Sequence, residues 1–138
     1  MNAPPLILIA ADDPVSLHAL QTHLTAWGYQ VLLATDGEQA VALARSAGPD
    51  LILLDLAMPK LDGRAVCRRL RADGSLPFTP IVLVTAAPDP ADIDRGLAAG
   101  ADEYLMKPVD PMALRTRVRA MLRTKELHDA VEELSKGR

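Results

Sequence analysis

The sequence predicts a doubly wound α/β domain, a five-stranded parallel sheet ordered 2-1-3-4-5 with helices on both faces. Three observations predict it. Short apolar runs alternate five times with longer amphipathic stretches. The connections between them are brief and rich in Gly, Pro and Asp. The central run, Leu51-Ile52-Leu53-Leu54, is apolar without alternation, as in a strand covered on both sides.

Each element has its own signals. Leu6 to Ala11 form the first strand, which stops on Asp12-Asp13. Asp13-Pro14 opens a helix, with Asp as cap and Pro at the first helical position. Leu17, Leu20, Leu24 and Trp27 make its buried stripe, and Gly28 ends it. Tyr29 to Ala34 form the second strand. Thr35-Asp36-Gly37 then turns into a helix with Ala40, Leu43, Ala44 and Ala47 on one face. Gly48-Pro49-Asp50 introduces the central strand, which ends on Asp55 and runs into the loop Met58-Pro59-Lys60-Leu61-Asp62-Gly63. A helix from about Gly63 to Ala72 turns Val66 and Leu70 inward, while Arg64, Arg68, Arg69 and Arg71 read as a solvated face. Ile81 to Val84 form the fourth strand, ending on Thr85. The helix from Pro88 to Ala99 has only Ile93 and Leu97 as large apolar anchors, so it is expected to be weakly held. Glu103 to Met106 form the fifth strand, ending on Lys107-Pro108. Asp110-Pro111 opens the last helix, with Leu114, Val118, Met121 and Leu122 on its apolar side.

Right-handed crossovers restrict the topologies, and 2-1-3-4-5 is the flavodoxin-like order for five such units. At 138 residues the chain is long enough for one proper core. The expected division is a domain over residues 1–122 and a helical extension or linker over 123–138. A formal charge of −3 offers no basic field for direct nucleic-acid binding. The apolar runs fall far short of a membrane span, and the amino end lacks a basic-then-apolar leader. A single cysteine, Cys67, forms no internal disulfide and suits a reducing, cytoplasmic setting.

The chemistry lies in what the strand ends share. Open α/β sheets place ligands at the carboxyl ends of their strands. Asp12 and Asp13 end the first strand, Asp55 the third, Thr85 the fourth and Lys107 the fifth. Strands 1 and 3 are neighbours in this order, so three carboxylates meet. Two carboxylates about 4 Å apart repel by roughly 4 kcal/mol at an effective dielectric near 20. A hard cation such as Mg²⁺, which favours few carboxylates, several waters and a phosphate oxygen, relieves that repulsion. Lysine and threonine add a positive charge and a hydroxyl donor for phosphoryl oxygens. The set points to phosphoryl transfer onto a carboxylate.

Asp12-Asp13, the loop from Asp55 through Met58-Pro59 to Asp62-Gly63, Thr85-Ala86, Gly100-Ala101 and Lys107-Pro108 stand in order. With that spacing the chain resembles a receiver domain of a two-component response regulator from about Leu6 to Leu122. The resemblance implies that Asp55 accepts a phosphoryl group from a sensor histidine kinase or phosphotransfer protein. It implies Mg²⁺ held by Asp13, Asp55 and the Ala57 backbone carbonyl, with Asp12 acting mainly through water. Lys107 and the Ala86 backbone would meet the phosphoryl oxygens, Thr85 and Tyr104 would switch, and the bond to Pro108 would be cis. No enzyme activity beyond self-catalysed phosphoryl transfer and autodephosphorylation is implied.

Ala57 and Ala87, two residues after Asp55 and Thr85, offer no hydrogen bond to an attacking water, which predicts a long-lived phosphoryl group. A haloacid-dehalogenase-like phosphatase would want a second acid at position 57, and a flavodoxin-type carrier a hydroxyl-rich loop after strand 1; neither is present. The alternative reading is a receiver-fold adaptor that binds partners without phosphorylation. Signal is expected to leave through the face of the fourth helix, fifth strand and fifth helix. A homodimer there would use Asp94, Arg95, Arg115 and Arg119, with Leu127, Val131 and Leu134 as a parallel seam. Taken alone the extension reads as a frayed, solvated helix that would join an output domain or downstream protein outside this chain.

Overall fold

A computed structural model describes residues 3–86 and 89–136. Its elements follow in strict alternation: β1 (Leu6–Ala10), α1 (Pro14–Ala26), β2 (Gln30–Ala34), α2 (Gly37–Ala47), β3 (Leu51–Asp55), α3 (Gly63–Ala72), β4 (Ile81–Ala86), α4 (Pro90–Ala99), β5 (Glu103–Lys107) and α5 (Pro111–Lys136). All strand pairs are parallel and the order is β2-β1-β3-β4-β5, as the sequence predicts.

The sheet divides its side chains by parity, since successive residues of a strand face opposite sides. Ile7, Ile9, Leu51, Leu53, Val82, Val84 and Leu105 pack against α1 and α5. Leu8, Ala10, Ile52, Leu54, Ile81 and Leu83 pack against α2, α3 and α4. Every residue of β3 is buried, which explains the absence of alternation in its sequence. All five helices begin after an aspartate whose carboxylate accepts a backbone N–H: Asp13 from Val15, Asp36 from Gln39, Asp62 from Ala65, Asp89 from Asp92 and Asp110 from Ala113.

Three expectations need correction. Val41, not Ala47, completes the buried stripe of α2, because Gly37, Val41 and Ala44 fall at steps of four and three while Ala47 lies exposed in the last turn. Leu97 is 45% exposed and does not anchor α4. The helix instead seats on Gly96 and Ala99, whose small size lets it approach Leu83. Arg71 is not solvated: it bonds the Thr79 and Gly100 carbonyls and Asp102, closing the far end of the domain. Helix α5 passes residue 122 without a break and continues to Lys136.

Candidate functional site

Asp55 closes β3 and is only 5% exposed. Its Oδ2 accepts a hydrogen bond from Lys107 Nζ at 2.7 Å. The two residues end strands on either side of β4, which places their backbones roughly 10 Å apart. A lysine stem spans that gap and keeps a partly exposed head at the rim, 28% exposed. Lys107 stands opposite Ala86 in the β4–β5 register and is joined to Pro108 by a cis peptide bond. Both Asp55 and Lys107 share the parity of the residues that face α1 and α5.

Asp12 and Asp13 follow β1 and are exposed. Asp13 caps α1: its oxygens accept from Val15 N at 3.2 Å and Ser16 Oγ at 2.9 Å. The Ser16 hydroxyl, the Val15 N–H and, more weakly, the Lys107 ammonium hold its carboxyl below the usual aspartate range. Asp13 therefore stays ionised at neutral pH. Among the described residues Lys107 is the one side chain bonded to the Asp55 carboxylate, and no group of three or more His, Cys, Asp or Glu side chains is gathered closely enough to hold a metal ion, so the expected meeting of Asp12, Asp13 and Asp55 is not a ready-made ligand set. Hard oxygens with open coordination suit a cation that keeps several of its waters.

Thr85 and Tyr104 carry the other parity and face α4. With Ile93, Gly96 and Leu97 they line a cavity of about 20 Å³, room for roughly one water. Ala86 and Ala57 are exposed at the rim, and Ala87 lies outside the described residues.

Two supports of the site went unread in the sequence. Gly37 N donates to Pro59 O at 3.3 Å, and Lys60, at φ 69, pairs with Asp36 at 3.5 Å. These contacts tie the loop after Asp55 to the start of α2. A Cβ on Gly37 would lie 2.1 Å from Leu61 O, so only glycine fits. Gly63 is equally confined, 2.7 Å from the Asp55 carbonyl for an added Cβ. The adjacency of Asp36-Gly37 to a turn was the one available signal. Arg115, named for the dimer face, has its guanidinium 5.4 Å from the Trp27 ring centroid, and Arg117 approaches Glu103 of β5 at 3.9 Å.

Comparison with known proteins agrees with this geometry. The family model "Response regulator receiver domain" matches residues 7–119. The DNA-binding response regulator MtrA of Mycolicibacterium smegmatis is 44% identical over 131 residues, 95% of this chain and 56% of that protein. The probable transcriptional regulator ycf27 of Cyanophora paradoxa is 42% identical over 120 residues, 86% of this chain and 49% of that protein. The chain thus spans about half the length of the curated relatives it matches. The signal receiver domain of an HD domain-containing protein from Pseudomonas fluorescens superposes with TM-score 0.87 at 28% identity, covering 94% of this chain and 95% of that one. Chemotaxis protein CheY4 of Vibrio cholerae gives 0.81 at 30%, covering 86% and 99%. A doubly wound sheet with a buried strand-end aspartate paired to a strand-end lysine, matched over most of its length by this family, makes the chain a member of the response regulator receiver domains of two-component signal transduction.

Proposed function

We propose that Asp55 is the phosphoacceptor, taking its phosphoryl group from the phosphohistidine of a sensor kinase or phosphotransfer protein. The observation that carries this is the Asp55–Lys107 pair, a 5% exposed carboxylate 2.7 Å from an ammonium at the sheet's carboxyl edge. An Asp55 oxygen attacks phosphorus, an O–P bond forms and the donor's N–P bond breaks. The departing imidazole keeps the bonding pair and takes up a proton, and an acyl phosphate remains on Asp55.

Lys107 supplies the compensating cation, and the Thr85 hydroxyl and Ala86 N–H donate to the phosphoryl oxygens. Asp13, Asp55 and the Ala57 carbonyl would hold Mg²⁺, with Asp12 acting through water; when bound, the ion neutralises charge on the transferring group. The Ala57 methyl cannot orient a hydrolytic water, so the chain's own autodephosphorylation is slow and Ala57→Asn shortens the phosphoryl lifetime.

Drawing Thr85 toward the phosphoryl group opens the cavity beneath α4, and Tyr104 moves into it. The α4–β5–α5 face then becomes the output surface, where a second copy docks. Leu127, Val131 and Leu134, 62%, 61% and 71% exposed, continue that contact as a parallel seam. The state reaches an output domain or downstream protein in the cytoplasm, and the half-length match to transcriptional regulators supports output of that kind.

The test is intact-mass measurement after incubation with acetyl phosphate and Mg²⁺. The chain should gain one phosphoryl group and Asp55→Asn none. Equal labelling of Asp55→Asn would defeat the assignment. Absence of labelling, with no beryllofluoride binding, would favour the unphosphorylated adaptor.

A further inference from the structure

The extension of α5 carries a lysine that a solvated tail would not bury. Lys125 is 8% exposed, donates from Nζ to Phe78 O at 2.8 Å and pairs with Asp129 at 3.0 Å. A buried ammonium is costly unless it is bonded, so this turn of helix is seated where those acceptors sit. Three residues on, the His128 ring stacks on Phe78, with centroids 4.0 Å apart and planes 23° off parallel. Phe78 is the chain's only phenylalanine and lies in the segment that leads into β4.

Arg71 of α3 also reaches this ring, its Cζ 5.3 Å from the centroid. All its bonds go elsewhere. Nε donates to Gly100 O at 2.9 Å, Nη1 to Thr79 O at 2.7 Å and Nη2 to Asp102 Oδ2 at 2.6 Å. Gly100 caps the C-terminus of α4, and a Cβ there would stand 2.5 Å from Arg71 Cγ. Asp102 accepts a second bond, from Ile81 N at 2.8 Å. The last turn of α4 is thus linked to Phe78 through Arg71, and the extension of α5 through Lys125 and His128, at the end of the sheet opposite Asp55.

We propose that Phe78 is a clasp through which the C-terminal end of α4 and the extension of α5 are held as one unit, so that loosening either loosens the other. The clasp belongs to the folded chain alone and stands whether or not Asp55 accepts a phosphoryl group. Residues 123–136 are then a fixed arm of the domain, with a direction set by α4.

Native-state hydrogen exchange on the full chain tests this, using two variants that each touch one side only. Arg71→Lys keeps the charge but loses the fork onto Thr79, Gly100 and Asp102. Lys125→Met removes the bond to Phe78 and touches nothing in α4. Arg71→Lys should speed exchange of amides 126–130 about tenfold, the scale of one lost charge-assisted hydrogen bond. Lys125→Met should speed amides 97–102 in return, because coupling between two sites is reciprocal. Amides of β1 and β3 exchange through global opening and give the overall stability each variant loses. An Arg71→Lys effect that leaves amides 126–130 at their wild-type rates, or a Lys125→Met effect that leaves amides 97–102 at theirs, would overturn the proposal. Should Arg71→Lys not fold, the Lys125→Met arm decides alone.

Discussion

Replacing Gly37 by alanine tests how tightly the loop after Asp55 is held. The added Cβ would lie 2.1 Å from Leu61 O and 2.5 Å from Leu61 Cβ, against roughly 3.5 Å for an ordinary contact. Leu61 presents its carbonyl and its Cβ, both fixed by the backbone, so no rotamer change relieves the clash and the loop must withdraw by about 1 Å. Overpacking of this kind costs about 1–3 kcal/mol. Losing the Gly37–Pro59 bond adds about 0.5–1.5 kcal/mol, and the exposed Asp36–Lys60 pair adds less than about 1 kcal/mol. Alanine's better helix propensity returns up to about 1 kcal/mol. The expected net loss is about 1–5 kcal/mol, centred on about 3, read as a fall of about 1–2 M in the urea midpoint with an unchanged slope. Gly74→Ala is the control, since nothing lies within 4 Å of its added Cβ, and it should shift the midpoint little. Phosphorylation by a small donor should fall with Gly37→Ala, because a 1 Å displacement at a reacting site can cost about 100-fold. A Gly37→Ala protein as stable as Gly74→Ala would refute the steric argument.

Two further outcomes follow from titrating groups. The Gln39 N–H, with Lys60 beside it, holds the Asp36 carboxyl below its usual range, so its contribution to stability is present above about pH 4 and lost as pH falls through the lowered value. Asp36→Asn keeps a capping oxygen but not the charge; the melting-temperature gap between wild type and variant should close in acid, and a gap independent of pH would contradict this. Burial pushes the Cys67 thiol up to about 11, so iodoacetamide at pH 8 should modify the native chain only at its rate of opening. Labelling as fast as that of a free thiol would show the packing around α3 to be wrong.

Much of this architecture was legible because it rests on local rules. Period-two burial, aspartate caps and strand-end placement are enough to bring Asp13, Asp55, Thr85 and Lys107 to the carboxyl edge of the sheet. Apart from Ala47, misplaced by the helix period itself, the errors share a cause: they depend on contacts that the local pattern does not record. Arg71 looked like its neighbours Arg68 and Arg69 because nothing on α3 records that Gly100 and Thr79 offer it carbonyls. Lys125 looked solvated because its acceptor, Phe78 O, lies 47 residues away. Leu97 looked like an anchor because a side chain's size says nothing of how close Gly96 lets the helix approach.

The parity of the strands has a consequence for how this domain can be altered. Asp55 and Lys107 count from the same face as Leu53 and Leu105, whereas Thr85 and Tyr104 count from the face of Leu83. The charged pair and the hydroxyl pair are thus separated by the thickness of one sheet and addressed to different helices. Deleting one residue inside β3 would either carry Asp55 to the side of Thr85 and strand Lys107 alone, or turn the buried side chains before the deletion against the wrong layer. Length changes are tolerable in the loops beyond the strand ends and ruinous within the strands, so diversification of such a domain is confined to its rim and its helices.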